Sequence, residues 1–237
     1  FAEAENYHSC RRIVLEGRPV ETIAELTRQQ HFDLVVSPGS DRLGIPRPFH
    51  RSLRAELLKQ GGAPLWTMSR GIEKADFRKP IRTVAAAVDG WDRDMTHVEL
   101  AASFAERTGA RLQLLTVVPP VSDSTISGQA VRPQPLHPDR AVARIERLLC
   151  HWHLSPEVTV ATGSAGQEVP RMAAKCGADL LFLSEAQSTG GWFLPGLSRA
   201  VTHSPCPVVA IPSSLSPQFR WSFLDTTTSG AQLVLSR

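Results

Sequence analysis

Arg82 to Gly90 reads RTVAAAVDG, an apolar run that closes on Asp-Gly. An unbroken apolar stretch of this length, bounded by a turn pair, is the pattern of a strand covered on both faces, as in a parallel sheet. The segment THVELAASFAERTG follows, from Thr96 to Gly109. Its Val98, Ala101, Ala102 and Ala105 fall on one helical face, widened by Leu100 and Phe104, and Gly109 stands where a helix C-cap belongs. ARLQLLTVVPP is a second strand, stopped by Pro119 and Pro120. After residues 121–138, rich in Ser, Pro and Gly, come a third helical segment, DRAVARIERLLCHW, and another strand, EVTVATG. This alternation predicts an α/β fold with an open, mostly parallel five-stranded sheet and helices on both faces, a Rossmann-like arrangement.

The same strand–helix unit occurs twice. VLEGRPVETIAELTRQQHFDLVV (Val14–Val36) lies on VATGSAGQEVPRMAAKCGADLLF (Val160–Phe182) without a gap. Gly17 then meets Gly163, Asp33 meets Asp179, Leu34 meets Leu180, and Ile23 and Leu26 fall on Val169 and Met172. Each copy leads to a short strand of similar flavour, GGAPLWTM at 61–68 and SPCPVVAI at 204–211. Only the second copy carries the preamble that begins with RTVAAAVDG. The expected organisation is therefore a tandem repeat. Residues 1–72 form the second half of a first domain, 78–213 a complete second domain, and 214–237 a C-terminal extension. The terminal AQLVLSR reads either as an added edge strand or as a frayed tail.

Bulk properties narrow the function. A net charge of +3 with scattered basic residues lacks the basic stripe of a nucleic-acid binder. Cys10, Cys150, Cys176 and Cys206 form no C-x-x-C pair, so zinc and dithiol chemistry are not expected. Reduced thiols in a reducing, cytoplasmic compartment fit better. No apolar run approaches the roughly 18 residues that span a bilayer. His151 and His153 flank Trp152, but at i and i+2 they leave a helix on different faces, which suits a packed helix end better than a metal site. Ser184, Ser198, Asp89 and His203 are the residue types of a hydrolytic triad. There is no G-x-S-x-G elbow to present the serine, however, so no enzyme is expected.

Several stretches resemble the universal stress protein family. They are KPIRTVAAAVDGWDRDMTHVELAASFAERTGARLQLLTVV, with its Val-Asp-Gly strand end, the segment GADLLFLS, and the closing THSPCPVVAIP. The resemblance covers residues 79–212 well and 9–68 more weakly. It implies the fold already expected, pairing of domains along their last strands (APLWTM with PVVAI), and a ligand site at the carboxyl edge of the sheet. His203 and Cys206 then belong to the structural helix-to-strand ending.

Nucleotide-binding members carry Gly-x2-Gly-x9-Gly-Ser/Thr from the end of the fourth strand, where glycines let the backbone approach the phosphates. In SEAQSTGGWFLPGLS (Ser184–Ser198) these positions hold Ser184, Gln187, Leu197 and Ser198. Gly190, Gly191 and Gly196 are out of register, Glu185 adds negative charge, and Trp192 and Phe193 add bulk. Pro38, Asp41, Arg51 and Ser52 stand at the corresponding positions of the first copy. The resemblance places Asp89 against an adenine base and Val117 in the wall of its pocket. Asp89 equally suits a turn and helix cap, and Val117 a buried strand. The nucleotide-site candidates are thus Asp89, Val117, Ser184, Gln187 and Ser198.

The reading that follows is a non-catalytic stress-response binding or scaffold module with degenerate nucleotide loops and no cofactor. It has a protein partner or self-associates. Two alternatives stand beside it: an ATP- or AMP-binding sensor, and the soluble regulatory part of a longer protein such as a transporter.

Overall fold

A computed structural model describes residues 13–37, 53–68, 80–88, 95–118, 143, 147, 150, 152–185, 199–216, 219 and 221. In chain order its elements are α1 (Pro19–Gln30), β1 (Val35–Val36), α2 (Leu53–Gln60), β2 (Leu65–Thr67), β3 (Thr83–Val88), α3 (Thr96–Thr108), β4 (Arg111–Val118), β5 (Glu157–Thr162), α4 (Ala165–Lys175), β6 (Leu180–Ser184) and β7 (Val208–Ile211). Ala143 and Arg147 are helical, within the third helical segment of the sequence, and residues 199–203 form a short helix before β7.

RTVAAAVDG does form the buried strand that its composition predicts, β3, covered along its whole length. Alternate residues feed two cores, as the two-residue period of a strand requires. Val84, Ala86 and Val88 meet Val98, Ala101 and Phe104 of α3 on one face. Ala85 and Ala87 join Val169, Met172 and Ala173 of α4 in the core on the other. Gly109 ends α3 in the left-handed conformation at φ 68°, as its position suggests. Asp179 ties the start of β3 to β6, its Oδ2 accepting the N–H groups of Arg82 and Thr83 at 2.9 Å each.

The strands run β1-β2-β7-β6-β3-β4-β5 in one sheet. From β7 to β5 all neighbours are parallel, which is the expected five-stranded open sheet. The strand number is corrected to seven, because β2 pairs antiparallel with β7 and brings β1 with it. That junction is nearly symmetric. Val35 and Val36 pair with Leu65 and Trp66 in the register in which Leu181 and Phe182 pair with Val208 and Val209. Trp66 faces Val209, its own counterpart, while Leu65 faces Ala210 and Thr67 faces Val208. A pseudo-twofold axis therefore passes between Trp66 and Val209, the isologous geometry of a twofold contact within one chain.

The two copies also enter their helices alike. Gly17 and Gly163 have φ of 138° and 152°, and a Cβ on either would crowd the residue five positions on, Thr22 at 2.7 Å and Glu168 at 2.9 Å. The copies differ in what covers them. Phe182 is fully buried, whereas its counterpart Val36 is 65 % exposed, because β3 flanks β6 and no strand among the described residues flanks β1 on its outer side. Ile13 to Glu16, aligned with the end of β5, are not in a strand, since a strand needs a neighbour for its hydrogen bonds.

Residues beyond 213 contribute to the core. Leu215 and Trp221 are buried in the α3-side cluster, with Phe219 packed against it. The Trp221 indole N–H donates to the Leu100 carbonyl at 3.3 Å, and its ring meets Phe182 edge-on with centroids 6.5 Å apart. AQLVLSR lies outside the described residues. None of the described helices is long and apolar enough to cross a membrane.

Candidate functional site at the carboxyl edge of the sheet

β3 leads to β4 and β5 on one side, and β6 leads to β7 on the other, so the winding of the parallel sheet reverses between β3 and β6. Connections leave in opposite directions at such a point and open a crevice at the carboxyl ends of the strands, where α/β folds bind ligands. The register reflects this. β3 and β6 pair only as far as Ala86 and Phe182, although β3 continues to Val88 and β6 to Ser184. On the outer sides pairing persists to the ends, Val88 with Thr116 and Ser184 with Ile211.

Of the residues expected from sequence to form a nucleotide site, Val117 and Ser184 are described. Val117 is half-buried near the end of β4 and packs against the α4-side core, as strand valine does. Ser184 is buried as the last residue of β6, on the rim of the crevice. Asp89, Gln187 and Ser198 lie outside the described residues, as do Gly190, Gly191, Gly196, Trp192 and Phe193.

Glu185, one residue past the strand, is 5 % exposed. Its backbone N–H donates to the Ile211 carbonyl at 2.8 Å and prolongs the β6–β7 ladder. Its Oε2 accepts from the Ser213 N–H at 3.4 Å. A phosphate loop at this strand end would need glycine and outward amide groups. The chain offers Ser184 and a buried carboxylate instead, and like charges in a desolvated site repel strongly. At the positions described, the residues do not fit a phosphate.

Two further residues at this edge carry no motif signal. His97 is buried in the first turn of α3, its Nε2 2.9 Å from the Ala87 carbonyl, which anchors the helix start to the end of β3. The Thr116 Oγ1 is buried at the end of β4 without a hydrogen-bond partner. A lone His or Thr inside an apolar run looks like filler until the sheet register places it.

The remaining polar candidates are structural. The His203 ring Nδ1 lies 2.9 Å from the Arg199 carbonyl, within the short helix 199–203, and the side chain is exposed. The Ser204 hydroxyl donates to the Cys206 carbonyl at 2.7 Å and so shapes the approach to β7. Burial pushes the Cys206 thiol up to about 12, against the smaller opposing effect of Ser204, which makes it a poor nucleophile. His153 meets the Glu106 carboxylate through both its backbone N–H and its ring Nδ1, each at 3.1 Å. Those hydrogen bonds hold Glu106 below the usual carboxylate range. The CHWH segment thus ends in a carboxylate contact, with Trp152 packed against the core. No group of three metal-ligating side chains occurs among the described residues.

An open parallel sheet with a switch-point crevice and helices on both faces defines a Rossmann-like α/β protein. Residues 80–212, more than half of the chain, match the model of the universal stress protein family. The chain belongs to the universal stress protein family.

Solved structures agree in fold. A universal stress protein from Archaeoglobus fulgidus DSM 4304 is 15 % identical with a TM-score of 0.55, over 82 % of this chain and 65 % of that one. A Pseudomonas aeruginosa UCBPP-PA14 structure described as a universal stress protein is 16 % identical with a TM-score of 0.54, over 84 % and 69 %. The chain thus spans about two thirds of the length of these structures. Comparison with curated proteins finds no match.

Proposed function

We propose that this chain is a non-catalytic binding or scaffold module of the stress response, cytoplasmic, with nucleotide loops that no longer hold phosphate and no cofactor. The observation that carries the reading is the buried Glu185 carboxylate, next to Ser184, at the strand end where nucleotide-binding relatives begin their glycine pattern. A scaffold role draws support from the β2–β7 junction, which lets two similar units share one sheet through their last strands. On this reading residues 1–72 are the second half of a first domain, 78–213 a complete second domain, and 214–237 a C-terminal extension.

A second reading, an ATP- or AMP-binding sensor, draws on the crevice between Val88 and Ser184. Thermal unfolding with and without millimolar Mg-ATP separates the two. The scaffold reading expects an unchanged midpoint and no nucleotide released from the purified protein. A rise of several degrees that disappears in Asp89→Ala would establish the sensor in its place.

A further inference from the structure

Glu185 has a charge that the fold removes from water and does not balance. It is 5 % exposed, and among the described residues no Lys, Arg or His forms an ion pair with it. Among the described residues its carboxylate receives one hydrogen bond, from the Ser213 N–H at 3.4 Å, at the long end of the useful range. Buried carboxylates elsewhere in proteins are paired or heavily hydrogen-bonded, because an isolated ionised group is costly to desolvate. The group is also well placed. The bond from its own N–H to Ile211 fixes the backbone of Glu185 against β7, so the carboxylate is held at the exit of β6, beside the switch point.

We propose that the exit of β6 binds a protonated amine or guanidinium group, held by the Glu185 carboxylate, so that the site selects cationic, amine-bearing ligands over phosphates. This rests on the reading of the chain as a binding module, and it names the ligand class that such a module takes. A charge-assisted N–H···O bond from the ligand supplies the counter-charge that the fold lacks.

The test uses the whole chain with spermidine and agmatine as probes, against NaCl of matched ionic strength. Either amine should raise the unfolding midpoint by about 5 °C at roughly 100 times its Kd, the response expected for a protein of this size. Glu185→Gln keeps the shape and the acceptor for Ser213. It should unfold no earlier than the parent when free, and its midpoint should not respond to amines. Ser213→Pro works in the opposite direction. Ser213 is the second residue of the turn closed by the Leu215 N–H to Pro212 carbonyl bond, a position that suits proline. Removing its N–H leaves the carboxylate wholly to the ligand, and amine affinity should rise several-fold.

An equal amine response in parent and Glu185→Gln, or none in the parent, would overturn the proposal. Should Glu185→Gln not fold, an unchanged or weaker amine affinity in Ser213→Pro overturns it alone. Stabilisation by Mg-ATP is a separate arm: it would remove the scaffold reading whatever the amines do. Silence toward both probes removes only the amine site.

Discussion

At the scale of single residues, Cys206 shows how burial sets chemistry. The thiol lies in the core under α4, bounded by Ser204, and the apolar surroundings disfavour its thiolate. Its folded value of about 12 lies above the ordinary value of 9.0, so the neutral form is favoured by folding. That contribution is complete below pH 9 and is lost progressively as pH climbs towards 12. Urea midpoints measured from pH 8 to 11 should therefore fall more steeply for the parent than for Cys206→Ala, in which nothing titrates at this position. Parallel curves for the two would show that the thiol is not buried as described.

At the scale of elements, Leu215, Phe219 and Trp221 behave as part of the core rather than of a tail. Phe219 and Trp221 stack edge-on with centroids 5.3 Å apart, and Trp221 also reaches Phe182 of β6 and the Leu100 carbonyl of α3. A tryptophan buried to 3 % exposure at this junction contributes much of the closure over β6. Trp221→Ala should cost about 3–5 kcal/mol in chemical denaturation, as large aromatic truncations in cores do. Trp221→Phe, which keeps most of the area and loses the Leu100 hydrogen bond, should cost clearly less. A loss under about 0.5 kcal/mol for Trp221→Ala would mean that the segment does not hold the core. The aromatics of PQFRWSF were visible in the sequence, but no periodicity linked them to a target, so the segment read as an extension outside the repeat.

At the scale of the whole molecule, the antiparallel β2–β7 pair makes one sheet of two units. β7 is buried on both faces and paired on both edges. Removing residues 1–77 would leave its outer edge bare, and an uncovered apolar edge invites a new strand. The pseudo-twofold register indicates which one. The shortened chain should dimerise through β7 with Val209 facing Val209, as Trp66 faces Val209 in the intact chain. Sedimentation should find a dimer that Val209→Lys converts to monomer. A shortened chain that stays monomeric at high concentration would show that the junction has no affinity of its own.

The amino-acid order by itself determined most of the secondary structure and the parallel five-stranded part of the sheet. RTVAAAVDG, the α3 face and the Gly109 stop are local signals, because strand and helix periods and left-handed glycines act over a few residues. The repeated turn was legible for the same reason, since Gly17 and Gly163 sit at matching places, while the pairing of β2 with β7 was expected only from the resemblance to universal stress proteins. The site was only partly legible. Sequence register marked Ser184 and Glu185 as departures from a phosphate loop, yet it could not say that Glu185 is buried or that its carboxylate accepts from the Ser213 N–H. His97 and Thr116 gave no signal at all. Burial and pairing are properties of residues far apart in the chain and brought together by packing. Only the tertiary structure decided that the Glu185 carboxyl is buried at the carboxyl edge, that Trp221 closes the core, and that seven strands rather than five share one sheet.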